Sequence, residues 1–285
     1  MPLPDFIIIG SQKAGTTTLY NVLRKHPQLY LPARKELNFF FHQALYRRGL
    51  EYYARFFDAA QPGQLCGEAS PGYICHPQAP ERIFRALPRV KLILTVREPI
   101  ERAYSQYWDN RRHLSEWRTF DEVVALYLED EYQPGRVGYF SRGVYIRYIR
   151  RYLAFFPPEQ LLILAFDDLR EEPTAFYRRI FEFLGVDSTF DPLPHHRAYN
   201  PATIWKNPFY RFVFRHPAWA RRLPIPLRRL FFWGARERFS PPPITAETRQ
   251  RLEAFYAPWN EQLSAFLNRP LWKYASIAET HPRAR

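Results

Sequence analysis

The feature that most constrains the fold is an apolar run that leads into a glycine-flanked loop near the start of the chain. The run Phe6–Ile9 is β-branched and fits a strand buried on both faces. Gly10 ends this run, and residues 10–17 read Gly-Ser-Gln-Lys-Ala-Gly-Thr-Thr. The apolar spacing from Leu19 to Leu23 then predicts a helix packed on a sheet. Because loop N–H groups and a helix dipole attract anions, this unit predicts a phosphate cradle.

The position of the lysine separates two kinds of phosphate loop. In a nucleoside-triphosphate P-loop the lysine follows the second glycine, and the next hydroxyl holds magnesium. Here Lys13 precedes Gly15. The alternative for the loop alone is a strand–turn–helix unit with no ligand, because short glycine motifs also arise by chance. If the loop binds phosphate, its contacts are expected from Ser11, Gln12, Lys13, Ala14, Gly15, Thr16 and Thr17.

Strands and helices alternate along the next part of the chain. Strands are predicted at 29–31, 65–69, 90–96 and 160–166, and helices at 51–58, 80–87, 99–110, 119–128, 141–153, 173–184, 245–255 and 260–267. This order predicts an α/β fold with a central parallel sheet and helices on both faces. Since ligands of such sheets bind beyond the carboxyl ends of the strands, the loops after Ile9, Ala69 and Val96 should converge on one crevice.

Two segments resemble the sulfotransferases that use 3′-phosphoadenylyl sulfate (PAPS). The loop around Lys13 resembles their 5′-phosphosulfate loop, and a strand ending at Arg97 with Ser105 in the next helix resembles their 3′-phosphate site. The resemblance implies a P-loop-like sulfotransferase fold, PAPS as the donor and adenosine 3′,5′-bisphosphate (PAP) as the product. No metal is expected, because no carboxylate or His/Cys cluster has ligand spacing. From the residues alone, Arg97 offers a planar fork of donors to a phosphate, or it pairs with Glu98 or Glu101.

The resemblance also supplies a candidate general base. Residues 6–41 together resemble the heparan-sulfate-type and related bacterial branch, in which a basic-Glu-x-x-Phe-Phe loop follows the first helix. This match implies Glu36 as the base with Lys35 beside it. The alternative for Glu36 is a surface salt bridge with Arg34 or Lys35. Residues 67–73 resemble the Gly-Glu-x-Ser/Thr-Pro-x-Tyr segment of the family. Its Glu68 is either a second candidate base or a carboxylate that braces a loop.

The resemblance covers about residues 5–185 and includes an Arg-Gly-x-Tyr element at 142–145. The family carries a Lys-Gly-Arg motif in the loop beside the adenine, and this motif has no match in the sequence. Residues 197–200 or 205–206 are the candidates to replace it.

We predict a single domain over residues 1–285. Within it, an irregular basic and aromatic region at 187–243 is expected to face the acceptor or a membrane.

A formal charge of +13 and a pI near 9.8 favour anionic partners. The arginines and aromatic residues of 205–239 also fit a nucleic-acid-binding module, which is one alternative. Within this stretch, 209–233 is predicted to line the acceptor groove, to lie on an anionic membrane, or to pack as ordinary helices. A P-loop nucleotide kinase or NTPase is the enzymatic alternative.

The cysteines and the hydropathy of the chain indicate the state of its thiols and its location. Cys66 and Cys75 have no metal-type spacing and are predicted to be buried thiols. With no signal peptide and no apolar span long enough to cross a bilayer, a cytoplasmic protein is expected, soluble or peripherally bound to a membrane.

The predicted reaction is in-line transfer of a sulfuryl group to a hydroxyl, preferred to an amine, with Glu36 as the base. The acceptor is a carbohydrate, a lipid-linked sugar or a small alcohol, and neither its identity nor the oligomeric state follows from the sequence.

Overall fold

The structure is a computed structural model that describes residues 1–113, 115–128, 138–193, 240–272 and 274, and gives the backbone of 203–205 and 236–238. Its strands are β1 (Phe6–Gly10), β2 (Leu29–Tyr30), β3 (Leu65–Ala69), β4 (Lys91–Val96), β5 (Leu161–Ala165), β6 (Thr203–Trp205) and β7 (Arg236–Arg238). Its helices are α1 (Thr16–Leu23), α2 (Gln43–Tyr46), α3 (Gly49–Ala54), α4 (Ala79–Ala86), α5 (Pro99–Arg112), α6 (Phe120–Tyr127), α7 (Tyr145–Leu153), α8 (Phe166–Glu171), α9 (Pro173–Leu184) and α10 (Ala246–Phe266).

The predicted parallel sheet is confirmed. Strands β1 to β5 form one sheet in the order β2-β3-β1-β4-β5, and every neighbouring pair is parallel. The chain builds β2 and β3 on one side of β1, then crosses over to build β4 and β5 on the other. The carboxyl end of β1 therefore lies at a topological switch point, where open parallel sheets bind their ligands.

Helices cover both faces of the sheet, and β1 shows how the sequence directs this. Phe6 and Ile8 are buried with α1 and α9, whereas Ile7 and Ile9 are buried with α3, α4 and α7 on the opposite face. Successive strand residues point to opposite faces, so a strand covered on both sides must be apolar throughout. A third apolar cluster joins α5, α6 and the first half of α10 at the carboxyl end of the sheet.

Several predicted element limits change in the structure. The helix predicted at 51–58 is α3 followed by a 3₁₀ turn, and the helix predicted from 141 begins with a 3₁₀ turn before α7. The two helices predicted at 245–255 and 260–267 are wrong, because α10 continues through Pro258. Its buried stripe Leu252, Tyr256, Asn260 and Leu263 keeps the helical spacing across the proline, so packing outweighs the one lost backbone hydrogen bond.

Other predictions concern the thiols and the basic region. Cys66 and Cys75 are free and buried, as predicted. The antiparallel pair β6–β7 lies within the predicted irregular region 187–243, and 209–233 falls outside the described residues. In the described part of the chain, no helix combines the length and apolar character needed to span a bilayer.

The register of β1 and β3 predicts a stability effect at Gly67. Gly67 pairs with Phe6, and a Cβ at Gly67 would lie 2.1 Å from the Phe6 ring. Gly67→Ala should therefore lower the free energy of unfolding by about 1–3 kcal/mol, measured by urea denaturation. Phe6→Leu removes the ring that the new methyl group meets, so Gly67→Ala should cost less in the Phe6→Leu background than in the wild type. An equal cost of Gly67→Ala in both backgrounds would contradict this account.

Candidate active site

The loop after β1 is fixed to β4 by short polar contacts. The backbone N–H and the hydroxyl of Ser11 both donate to the Thr95 carbonyl at 2.9 Å. The Arg97 guanidinium donates to the Lys13 carbonyl at 3.2 Å. Gly15 has φ +78°, and a Cβ there would lie 2.7 Å from the Phe166 ring. The loop conformation is thus set by the neighbouring strand and requires glycine at this position.

Helix α1 begins directly after this loop. Its first residue is Thr16, no described side chain caps it, and its first turn carries no acid. The first N–H groups of a helix have no partner inside the helix and attract an anion together with the helix dipole. Thr16, Thr17 and Thr18 line the adjoining cleft. This end of α1 therefore has the features of a phosphate site.

The loops after β1, β3 and β4 meet at a cleft of about 1040 Å³. This volume is at the upper end of the range of about 300–1,000 Å³ that is typical of small-ligand sites, which leaves room for a nucleotide. The residues named from the sequence that line it are Gln12, Lys13, Gly15, Thr16, Thr17, Glu36, Arg97 and Ser105. Ser11 and Ala14 are buried in the loop. The convergence predicted for the three loops is confirmed.

Arg97 follows β4 and keeps its guanidinium close to the cleft. The guanidinium lies 5.2 Å from the centre of the Phe166 ring and 3.7 Å from the Glu101 carboxylate. Glu98 instead caps α5, because its carboxylate accepts hydrogen bonds from the N–H groups of Ile100 and Glu101 at 3.0 and 2.7 Å. Of the two acids that the sequence offered as partners of Arg97, Glu101 makes a loose contact with it and Glu98 caps the helix instead.

Lys13 pairs with an acid that was not among the residues expected in the site. The Lys13 Nζ lies 2.7 Å from Asp109 Oδ2, and Asp109 also contacts Arg112. Glu101, Ser105, Asp109 and Arg112 follow the i, i+4, i+8, i+11 spacing of one helical face, and all of them line the cleft. This periodicity on α5 is the signal that could have found Asp109.

The loop carrying Glu36 is held by a buried network around Glu68. Tyr53, Tyr73 and Ser70 donate their hydroxyls to the Glu68 carboxylate at 2.7, 2.9 and 2.7 Å. Ser70 also accepts the N–H of Asn38 at 3.0 Å. Burial raises the pKa of Glu68, against these hydrogen bonds, which lower it. Glu68 is almost fully buried and does not line the cleft, so its geometry matches the bracing carboxylate considered from the sequence.

Glu36 itself is exposed at the cleft. Its carboxylate pairs with Lys35 Nζ at 2.9 Å, and its N–H donates to the Ala69 carbonyl at 3.0 Å. Both Glu36 and Lys13 adopt left-handed backbone conformations, with φ of +62° and +70°. Such conformations are costly for residues with side chains and cluster at functional sites. The two residues named as catalytic from the sequence are thus also backbone outliers.

The Arg-Gly-x-Tyr element contacts both halves of the site. Arg142 donates to the Gln12 side chain in the loop after β1. Tyr145 donates to the Arg97 carbonyl at 2.8 Å and accepts the Arg97 N–H at 3.3 Å. The element therefore positions the lysine loop and the arginine that follows β4 with two side chains of one short segment.

Two further predictions concern the residues beside the adenine and a metal site. The adenine-side candidates 197–200 and 206 lie outside the described residues, and residue 205 is known only as part of β6. Among the described residues, no group of three His, Cys, Asp or Glu side chains is arranged to hold a metal ion.

The parallel sheet, the lysine loop at its switch point and the arginine after β4 define an α/β protein with a basic cleft at the carboxyl end of its sheet. A family model described as "Sulfotransferase domain" matches residues 3–202. The chain belongs to this family, that of the PAPS-dependent sulfotransferases. The predicted fold and family are confirmed, and the kinase or NTPase alternative is therefore dropped.

Several known proteins are similar to this chain. The human bifunctional heparan sulfate N-deacetylase/N-sulfotransferase 3 is 29% identical over 94% of this chain and 30% of its own length. The mouse heparan sulfate glucosamine 3-O-sulfotransferase 5 is 31% identical over 65% of this chain and 54% of its own length. A sulfotransferase structure from Alicyclobacillus acidocaldarius aligns with a TM-score of 0.70 and 25% identity, covering 95% of this chain and 98% of that one. The chain spans only about a third to a half of these curated relatives.

The two hydrogen bonds from Tyr145 to Arg97 predict a measurable effect. Tyr145→Phe should lower the free energy of unfolding by about 1–3 kcal/mol and weaken PAP binding by about 10-fold, because the backbone of Arg97 loses both partners. Urea denaturation and titration calorimetry measure the two effects.

Tyr152→Phe is the matched control on the same helix. Its hydroxyl donates to the Tyr73 carbonyl at 3.0 Å, so its loss should lower stability and leave PAP affinity unchanged. If both variants changed PAP affinity equally, Tyr145 would have no special part in positioning Arg97.

Proposed function

We propose that this protein transfers a sulfuryl group from PAPS to a hydroxyl, in preference to an amine, of an acceptor molecule. The observation that carries the proposal is that Lys13 and Arg97 line one cleft at the carboxyl end of the sheet. Two phosphate-binding groups in one cavity suit a nucleotide with a phosphate at each end. Family membership supports PAPS as that nucleotide.

Different residues of the cleft would bind the 5′-phosphate and the 3′-phosphate of the nucleotide. The loop N–H groups with Thr16 and Thr17 would hold the 5′-phosphate end, and Arg97 and Ser105 would hold the 3′-phosphate. Lys13 would stabilise the negative charge that develops on the 5′-phosphate as it leaves. PAPS supplies the sulfuryl group, so the protein contributes position and electrostatic stabilisation.

Glu36 is the proposed general base. It lines the same cleft, it is exposed, and its carboxylate lies 2.9 Å from Lys35 Nζ. In this role its carboxylate takes the proton of the acceptor hydroxyl during transfer. Glu68 cannot reach that proton without breaking its contacts with Tyr53, Tyr73 and Ser70.

The proposed acceptor is a carbohydrate hydroxyl, with a lipid-linked sugar or a small alcohol as the other candidates. The names of two curated relatives place their own activity on heparan sulfate and its glucosamine, which supports a sugar. The membrane contact through 209–233 and the cytoplasmic location stay predictions, as do the single domain over 1–285 and the absence of a metal from the reaction. The experiment for the acceptor is transfer of ³⁵S from labelled PAPS to a panel of polysaccharides, glycolipids and alcohols, with the Lys13→Ala variant as the blank. No labelled product from any acceptor class would contradict the proposed activity.

The assignment of Arg97 to the 3′-phosphate predicts how the protein discriminates PAP from AMP. The wild type should bind PAP much more tightly than AMP, since only PAP carries a 3′-phosphate. Arg97→Gln should weaken PAP binding by about 10- to 100-fold and AMP binding by a much smaller factor, as measured by calorimetry, because AMP loses only the support that Arg97 gives to the Lys13 loop.

Arg85→Gln removes an equal charge from an exposed helix position paired with Glu81. This control should bind both nucleotides as the wild type does. The Arg97 assignment is wrong if Arg97→Gln weakens AMP and PAP binding by the same factor.

The role of Glu36 predicts separate effects on turnover and on nucleotide binding. Glu36→Gln should lower the transfer rate by about 10²- to 10⁴-fold, because the amide cannot accept the proton, while PAP affinity stays within about 2-fold. Glu36→Asp keeps the carboxylate and should recover part of the rate. Unchanged turnover in Glu36→Gln would show that another group takes the proton.

A further inference from the structure

Lys13 has an acidic partner inside the cleft that the proposed reaction does not use. The Lys13 Nζ and Asp109 Oδ2 are 2.7 Å apart, and the two side chains are 27% and 25% exposed. Both residues line the cleft, so the carboxylate stands beside the ammonium group that the nucleotide needs. An incoming phosphate must therefore compete with Asp109 for the same cation.

Asp109 keeps other basic partners when Lys13 leaves. Its carboxylate contacts Arg112 on the same helix, and His113 Nδ1 lies 3.7 Å away. Burial raises the pKa of Asp109, but its contacts with Lys13, Arg112 and His113 outweigh this and hold the pKa below its usual value. Asp109 therefore still has the Arg112 contact after losing the lysine, which keeps the exchange from leaving an unpaired charge in the cleft.

Burial and the neighbouring charges shift the pKa of Lys13 in opposite directions. Burial lowers the pKa of Lys13, Asp109 raises it, and Arg112 and Arg102 lower it again. Arg97 from the end of β4 binds the Lys13 carbonyl, and Lys35, Glu36, Glu101 and Arg249 line the same cleft. Among the groups that act on Lys13, Asp109 is thus the counter-ion that favours its charged form.

We propose that Asp109 is a positioning residue that holds Lys13 as its counter-ion in the free protein and releases it to the 5′-phosphate end of the nucleotide. The exchange needs no rearrangement of α5, because Arg112 already contacts the carboxylate. This inference rests on the proposed function, since it assigns the incoming anion to the nucleotide. It adds a step that precedes sulfuryl transfer and that is set by a residue outside the lysine loop.

A double-mutant cycle with PAP as the probe tests the exchange. Asp109→Asn should tighten PAP binding by about 3- to 5-fold at neutral pH and low salt, because the competing carboxylate is gone. In the Lys13→Met background the same substitution should change affinity by less than about 1.5-fold, since no ion pair remains to be broken. Asp109→Ala takes the place of the asparagine variant if that variant does not fold.

The pH dependence of PAP binding is the second readout. PAP affinity falls as pH rises and Lys13 loses its proton. Without Asp109 the remaining influences, which are burial, Arg112 and Arg102, all lower the pKa of Lys13. The alkaline loss of affinity should therefore begin at a lower pH in Asp109→Asn than in the wild type, which a residue that only supports the fold would not cause.

The outcomes separate this inference from the proposed function. If PAP does not bind the wild type, the proposed function itself is wrong. If PAP binds the wild type but Asp109→Asn changes affinity equally with and without Lys13, the effect is general repulsion and the exchange is overturned. An unshifted alkaline limb in Asp109→Asn overturns it as well.

Discussion

The site depends on the contact between the loop after β1 and the end of β4. Ser11 is bound to the Thr95 carbonyl, and Arg97 is bound to the carbonyl of Lys13, so the two halves of the cleft share hydrogen bonds. A parallel sheet brings these two strand ends together because β1 and β4 are neighbours. The spacing between the two proposed phosphate positions is thereby set by the sheet and its nearest loops rather than by a distant lid.

The segment that carries the exposed Glu36 depends on a second, buried glutamate. Glu68 is buried, and its three hydroxyl donors and the Ser70–Asn38 contact hold the segment that carries Glu36. Glu36 is exposed and has a left-handed backbone, a conformation that its own side chain disfavours. A buried polar network of this kind can hold a neighbouring strained segment because every member is satisfied. One acid supports the geometry while the other remains available for proton transfer.

Sequence patterns predicted the elements whose signals are local. The strands β1, β4 and β5 are short, mainly apolar runs, and the phosphate loop is contiguous. The positions of Lys13, Arg97 and Glu36 in one cleft followed from the order of the strands together with the family resemblance. Prediction failed where the determinant is tertiary: α10 continues through Pro258 because its buried stripe extends on both sides of the proline. The same holds for Asp109, whose pairing with Lys13 depends on how α5 lies against the loop.

The central claim is that one nucleotide spans the Lys13 loop and Arg97. The most direct measurement is a crystal structure of the protein with PAP bound. The account predicts the 5′-phosphate within hydrogen-bond distance of the Lys13 loop and the start of α1, and the 3′-phosphate against Arg97 and Ser105. PAP bound elsewhere, or bound in the cleft with its 3′-phosphate away from Arg97, would contradict it.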